Sequence, residues 1–322
     1  MKKIRVGVIG VGYLGKFHAQ KYAAMDDVDL VGVVDVDEAI AGRVAATCNT
    51  KPFKDFTHLL DQVDAVSVVV PTSYHHMVAS ACLDRGIDLL IEKPMTSSLA
   101  EADDLIQRAE ANNCILQVGL LERFNPAVLA MRDHLTTPLF IESHRIHSFK
   151  SRGLDVDVVL DLMIHDIDII LSVVKSPLKT IHTVGVPVVT TSTDIANARL
   201  IFENGCTANV TVSRISKENI RRMRIFQPNA YMSVDFAKKE IMVIKQLAEL
   251  DENGIPKEDL QNFAYGDKDA LETELRDFVV NVRNRTTPQV SGVAGRRALE
   301  VVTQIMEQNR QHAEQFKSLL QG

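Results

Sequence analysis

Cysteine is scarce and dispersed in this chain of 322 residues: Cys48, Cys82, Cys114 and Cys206 stand far apart, with no C-x-x-C pair. That spacing builds neither a zinc site nor a disulfide framework, so a reducing, cytoplasmic setting is expected. Positive charge is short as well. The formal net charge of −6 argues against the clustered cations on which nucleic-acid binding rests. Long apolar runs without charge are missing too. The most apolar later window, Val158–Val174, holds Asp161, His165, Asp166 and Asp168, which a membrane span does not tolerate. Lys2 and Lys3 precede an apolar stretch, as in a leader peptide, but Gly7, Gly10, Gly12 and Gly15 interrupt it and no small-x-small cleavage site follows. There is no internal repeat and no low-complexity tract.

What remains is the balance of a globular enzyme, 46% hydrophobic and 24% charged, in a chain too long for one ordinary core. Two domains are expected, 1–121 and 122–322. In the first, apolar runs at Ile4–Gly10, Leu30–Asp35, Ala65–Val70, Leu89–Ile91 and Ile115–Gly119 alternate with helical patterns at Leu14–Ala24, Tyr74–Arg85 and Leu99–Asn112. Continuous Val/Ile/Leu runs such as "AVSVVV" read as strands buried on both faces. Their alternation with helices predicts a doubly wound parallel sheet. After Leu121 the texture changes to longer, alternating strands such as "FIESHRIHSFKS", "ANARLIFENGCTANVTVSRIS" and "RRMRIFQPNAYMSVDF". These predict an α+β domain with an open, mostly antiparallel sheet. Helices are expected over Val156–Val174 and Gly295–Leu319, and a polar loop over Glu249–Leu260. The uncovered face of that sheet suggests self-association as a homodimer or homotetramer.

The stretch "GVGYLG" is Gly10-x-Gly12-x-x-Gly15, between an apolar strand and a helical segment. In a dinucleotide site Gly10 permits the tight turn, Gly12 lets the backbone approach the pyrophosphate, and Gly15 lets helix and strand pack closely. The helix-start amides of Tyr13, Leu14 and Gly15 then face the phosphates. A bare glycine pattern is weak, but the second strand ends in Asp35, placed to accept from the adenosine ribose hydroxyls. A carboxylate there repels a 2′-phosphate and no Arg follows directly, so NAD is favoured over NADP.

Two further stretches carry chemistry. "EKP" places Lys93 at the carboxyl end of a parallel strand, where such sheets bind ligands, with Pro94 able to be cis; taken alone, Lys93 also reads as a surface lysine before a turn. In "DLMIHDID", Asp161, His165 and Asp168 are spaced four and three apart and share one helix face. They read as a cleft wall or, in the plainer alternative, as a half-buried His satisfied by a neighbouring acid. His144 and His147 stand three apart on a strand and face opposite sides, so no metal site is expected. His76 reads as a surface residue.

Taken in order, the glycine turn with His18, "PTSYH" from Pro71 to His75, "EKP", "RFNPA" from Arg123 to Ala127, the Asp161…His165 pair and the closing "PQVSGVAGRRALEVV" resemble the glucose–fructose oxidoreductase/inositol dehydrogenase family (Gfo/Idh/MocA) over essentially the whole chain. The resemblance implies a Rossmann domain followed by an α/β domain, and hydride transfer between a substrate secondary alcohol carbon and nicotinamide. It makes His165 the general acid/base, Lys93 a hydrogen-bond donor to the same oxygen, and Asp161 the holder of a neighbouring hydroxyl. Pro71, Thr72, His75, Glu92 and Lys93 lie along the cofactor, and Arg123, Asn125 and Asp168 are candidates for substrate contact. Where many relatives carry a glycine-rich lead into the catalytic helix, this chain has "RGLDVDVVLD", which changes the pocket wall. The acidic, apolar version is similar to the branch acting on nucleotide-linked amino sugars, such as UDP-N-acetylglucosamine 3-dehydrogenases. Arg214, Arg221, Arg222 and Arg224 either offer phosphate partners or decorate an exposed sheet face. The expected substrate is thus a sugar or nucleotide sugar; the alternatives are a non-catalytic NAD-binding sensor, or a dehydrogenase or reductase for a free cyclitol, hexose or other small carbonyl compound.

Overall fold

The computed structural model describes residues 2–149, 157–266 and 268–320, with side chains described through residue 313. Two compact units emerge, Met1–Leu121 with Asp269–Arg297, and Glu122–Lys268 with Ala298–Gly322. No described helix is long and apolar enough to cross a membrane.

The first unit holds six parallel strands: β1 (Ile4–Ile9), β2 (Val28–Val34), β3 (Lys51–Phe53), β4 (Ala65–Val68), β5 (Asp88–Glu92) and β6 (Leu116–Gly119). Their order, β3-β2-β1-β4-β5-β6, reverses direction between β1 and β4. Ligands of doubly wound sheets bind at that switch point. The helices α1 (Gly15–Ala23), α2 (Glu38–Cys48), α3 (Thr57–Leu60), α4 (His75–Leu83) and α5 (Leu99–Ala111) connect them. Local chemistry sets their starts. Asp37 caps α2 by accepting from the Ala39 and Ile40 amides, and Ser98 with Glu101 forms a reciprocal capping box on α5. On α1, Gly15, His18, Ala19 and Tyr22 are buried, the three-and-four spacing of a helix face against a sheet. The Tyr22 hydroxyl reaches Ser67 Oγ at 2.8 Å, so its one polar atom is satisfied inside the core.

The second unit begins with α6 (Pro126–Met131) and β7 (Phe140–Ser148). A π turn (Val159–Met163) leads into α7 (Ile164–Val173). Seven strands follow: β8 (Leu178–Val186), β9 (Ile195–Phe202), β10 (Thr207–Ser216), β11 (Ile220–Gln227), β12 (Ala230–Asp235), β13 (Glu240–Leu250) and β14 (Pro256–Ala264). The sheet runs β14-β13-β12-β11-β7-β10-β9-β8. Neighbours are antiparallel except β7 and β10, which are parallel. Alternation decides the covered face: Ile141, Ala198, Leu200, Val210, Met223, Ile225, Met232 and Val243 are buried while the residues between them are not.

Two sequence expectations are corrected. Glu249–Leu260 is no loop: β13 and β14 form a hairpin there, with the Asp251 carboxylate accepting from Asn253 and Ile255 amides and Gly254 at φ 76°. From Gln246 to Leu260 the residues are exposed on both faces apart from half-buried Asp251 and Asp259, so this part lacks the apolar alternation that Ile241 and Val243 give the start of β13. The single boundary after Leu121 is joined by two later crossings. Helix α8 (Ala270–Asn284) returns to the first unit because Leu275, Phe278, Val279 and Val282 complete the core formed by Val6, Val8, Tyr22 and Val33. The chain passes back to the second unit within α9 (Gly292–Leu320).

A buried anion ties the loop between β8 and β9. The Asp194 carboxylate accepts from the Val188, Val189 and Thr190 amides at 2.8, 2.6 and 2.8 Å and from the Thr190 hydroxyl at 2.8 Å. Burial opposes its charge, but these donors outweigh burial and bring its pKa from 3.8 down to about 2. A folded pKa below the unfolded one stabilises above the unfolded value, and the contribution is lost as pH falls from about 4 toward 2. Asp194→Asn is expected to cost about 2 kcal/mol at pH 7 and to flatten the acid limb of stability. Urea denaturation of both proteins at pH 7 and pH 3 checks this.

Candidate active site

In the first unit the glycine turn has the predicted mechanics. Gly10 sits at φ 85°, a region open to glycine at little cost. A Cβ on Gly15 would lie 1.9 Å from the Gly10 carbonyl oxygen, so only hydrogen fits there. A Cβ on Gly12 would meet nothing within 4 Å: the open side of the turn is at Gly12. Among the described residues no side chain caps the start of α1, the kind of helix start whose amides suit an anion. Tyr13 and Leu14 are exposed beside it. The Asp35 carboxylate, just past β2, accepts from the Val11 amide at 3.0 Å through one oxygen and from the Asp37 amide at 3.0 Å through the other. Each oxygen keeps a lone pair for a further donor. An open backbone cradle, an uncapped helix start and an anchored carboxylate fit the diphosphate and ribose of a dinucleotide.

The loops after β4 and β5 are fixed by one imidazole. His75 is 1% exposed, with Nδ1 2.9 Å from the Pro94 carbonyl and Nε2 2.9 Å from the Val70 carbonyl. Burial pushes its pKa down, against those two carbonyls, which favour the charged form. Both ring nitrogens lie within hydrogen-bond distance of these carbonyls, to one of which the single N–H of the neutral ring donates, so His75 bridges the loops of Val70 and Pro94. Pro71 is exposed and Thr72 half-buried. The Lys93–Pro94 peptide is cis. Glu92 is largely buried, with Oε1 3.1 Å from His18 Nε2 and Oε2 accepting the Lys93 amide at 3.3 Å. His76 meets Asp104 at 2.7 Å, partly exposed.

In the second unit Asp161 lies in the π turn and His165 in the first turn of α7, both half-buried. The lead-in from Arg152 to Val156 lies outside the described residues. Asp168 does not share that partly exposed face. It is 1% exposed and holds the Arg123 guanidinium with two contacts, Nε–Oδ2 at 2.8 Å and Nη2–Oδ1 at 2.5 Å. Asn125 accepts the Ala127 amide as the cap of α6 and donates to the Phe236 carbonyl at 3.0 Å. Buried polar groups must be satisfied, and Arg123, Asn125 and Asp168, the residues expected to contact substrate, are each bound to protein.

A second buried pair went unread in the sequence. Arg145, on β7, binds Asp166, the residue after His165, through Nε–Oδ2 at 2.7 Å and Nη2–Oδ1 at 3.3 Å. It also donates to Glu122 at 3.0 Å and stacks 5.2 Å from the Phe236 ring. Burial works against the Arg145 charge, yet Asp166 and Glu122 hold its pKa above the ordinary value. The Ser143 hydroxyl adds a bond to Asp166 at 2.9 Å. Two Arg–Asp pairs thus anchor α7 in the turn directly after His165. The only signal for this in the sequence was the pair of acids in "HDID".

The four arginines offered as phosphate partners are met by acids. Arg214 is buried with its Nε 3.9 Å from Asp194. Arg221 lies near Glu122, Arg222 near Asp235 and Arg224 against Glu142; Arg222 and Arg224 alternate with buried Met223 and Ile225 and so decorate the open sheet face, whereas Arg221 has the parity of the buried residues. His147 bonds the Ser148 carbonyl and His144 lies 3.8 Å from Glu142. Among the described residues no three His, Cys, Asp or Glu side chains converge on a common point.

A glycine turn at the switch point, an acid closing β2 and a lysine at the end of β5 define a dinucleotide-binding oxidoreductase of the Rossmann class. The comparisons name the family. Residues 4–120 match the oxidoreductase family with the NAD-binding Rossmann fold, and residues 133–230 the GFO/IDH/MocA C-terminal domain. UDP-N-acetylglucosamine 3-dehydrogenase of Acidithiobacillus ferrooxidans is 40% identical over 306 residues, spanning 95% of this chain and 97% of that enzyme. Its solved structure superposes with a TM-score of 0.89 over 95% of this chain and 97% of that one. Myo-inositol 2-dehydrogenase of Thermotoga maritima is 26% identical over 92% of this chain and 93% of its own. Levoglucosan dehydrogenase in complex with NADH shares the fold at a TM-score of 0.85 and 16% identity, over 96% of this chain and 98% of that one. The chain is an oxidoreductase of the Gfo/Idh/MocA family.

Proposed function

We propose that this protein is an NAD-dependent dehydrogenase oxidising a secondary hydroxyl of a nucleotide sugar, with the 3-hydroxyl of UDP-N-acetylglucosamine as the favoured substrate. The observation that carries the reading is the end-to-end 40% identity to an enzyme of that activity, in a chain that keeps Lys93, Asp161 and His165. Bound NAD supplies the hydride acceptor. His165, as a base with an imidazole suited to neutral pH, takes the hydroxyl proton. Lys93 donates a hydrogen bond to that same oxygen and steadies the charge developing on it. Asp161 accepts from a neighbouring hydroxyl and so orients the sugar. A sensor has no use for a proton acceptor, and the retention of His165 weighs against that alternative. The relation to myo-inositol 2-dehydrogenase keeps a free cyclitol as the second reading.

The deciding experiment follows NADH absorbance with UDP-N-acetylglucosamine, other UDP-sugars, inositols and free hexoses. The highest kcat/KM is expected on UDP-N-acetylglucosamine; preference for an inositol, or no turnover of any sugar, overturns the reading. Asp35 carries the choice of cofactor, its two oxygens accepting from the ribose hydroxyls. Asp35→Ala is expected to weaken NAD binding about 10- to 100-fold, the worth of a charged hydrogen bond, and to relax rejection of NADP. Titration of both cofactors checks it, and an unchanged NAD/NADP ratio removes Asp35 from the role. A homodimer or homotetramer through the uncovered face of the second sheet belongs to the same proposal, supported by the mixed His144, Asn197, Arg222 and Arg224 surface there. Light scattering showing only monomer refutes it. Four free cysteines support a reducing, cytoplasmic setting.

A further inference from the structure

His18 and Gly119 have no part in the chemistry above, yet both bear on the residue before Lys93. His18 is 1% exposed on the buried face of α1. Its Nε2 lies 3.1 Å from Glu92 Oε1, and its Nδ1 is buried with no hydrogen-bond partner among the described residues. A lone proton on Nδ1 would be an unmet buried donor, so the proton belongs on Nε2, which donates to the carboxylate. The second Glu92 oxygen accepts the Lys93 amide at 3.3 Å. Gly119, paired in register with Glu92 across β5 and β6, completes the seat: a Cβ there would lie 2.9 Å from both Oε1 and Cδ of Glu92. The Glu92 carboxylate is held by a donor on α1, by the next amide of its own chain, and by the absence of a side chain opposite.

We propose that His18, Glu92 and Gly119 form a positioning device for Lys93, which links the helix whose start faces the dinucleotide phosphates to the turn carrying the catalytic ammonium. Its rigidity sets the Lys93 backbone before substrate arrives. The inference rests on the role given to Lys93 above. Glu92 is then a positioning residue, and its expected place along the cofactor is a consequence of holding that turn.

The test compares His18→Asn, His18→Gln, Gly119→Ala and Lys93→Ala, using NAD and UDP-N-acetylglucosamine. His18→Asn and Gly119→Ala are expected to lower kcat on the order of 10- to 100-fold, the cost of misplacing a reacting group by about an ångström. Calorimetry should find their NAD affinity within about twofold of wild type, as expected when an interaction serves only the reacting state. His18→Gln sets an amide donor where Nε2 stands and is expected to recover most of the loss. A merely structural histidine would cost stability in both His18 variants and leave the kcat of folded protein unmoved. Wild-type kcat in His18→Asn and Gly119→Ala, or a glutamine variant as slow as the asparagine one, overturns the proposal. Full turnover by Lys93→Ala overturns the assignment of Lys93 instead. If the sugar is wrong, the device is read without it. In reductively methylated, NAD-bound protein, the 13C signal missing from Lys93→Arg identifies Lys93. That signal should move in His18→Asn and Gly119→Ala and return in His18→Gln. An unmoved signal sinks the inference whatever the substrate.

Discussion

Replacing His165 by Ala is expected to lower kcat/KM by about 10²- to 10⁴-fold, the range of a general acid/base, while NAD affinity stays near wild type. The two quantities separate because His165 lies on the second unit, whereas the glycine turn, the uncapped start of α1 and the anchored Asp35 lie on the first. Removing an imidazole from α7 touches none of those cofactor-binding features. Steady-state rates with saturating NAD, set beside calorimetric NAD titration, give both numbers. Equal loss of turnover and binding would make His165 a structural residue and leave the proposed chemistry without its base.

The largest effect on stability is expected from Arg145→Ala. Its partner Asp166 is fully buried, and removal of the guanidinium leaves that carboxylate and Glu122 without their main counter-charge. Breaking a buried pair in this way typically costs about 3–5 kcal/mol. Replacing both partners at once, as Arg145→Met with Asp166→Leu, is expected to recover much of that, because a well-packed apolar pair avoids desolvation of either charge. Denaturant midpoints for Arg145→Met, Asp166→Leu and the double variant measure the coupling. A loss under about 1 kcal/mol for Arg145→Ala would place the pair among weak surface contacts, contrary to its burial. The same variant should also slow turnover in its folded fraction, since Asp166 adjoins His165 in the chain.

Much of the first unit was legible because its signals are local. Strands buried on both faces are continuous in Val, Ile and Leu, and the glycine turn states its own geometry within six residues. Helix α8 was legible in principle from the spacing of Leu271, Leu275, Phe278, Val279 and Val282, but its place after a long β region concealed that it belongs to the first core. The hairpin at Glu249–Leu260 was hidden for the opposite reason, since a strand exposed on both faces has no apolar alternation to read.

The site divides along the same line. His165, Asp161 and Lys93 are proposed from spacing and from the family resemblance. The partners of the acids around them were not legible there, and three residues expected to touch substrate are bound to protein. Arg123 pairs with Asp168 and Arg145 with Asp166, whereas charge composition alone leaves every Arg equally available to every Asp.

By itself the sequence determined the parallel and antiparallel sheets, the dinucleotide turn and the acid at its side, because glycine conformation and hydrophobic period act between near neighbours. Only the tertiary structure decided which charges are spent on one another, that Asp168 turns inward while Asp161 and His165 stay half-buried, and that His18 and Gly119 meet at Glu92. Burial and the pairing it enforces depend on segments far apart in the chain, and no spacing along one strand or helix records them.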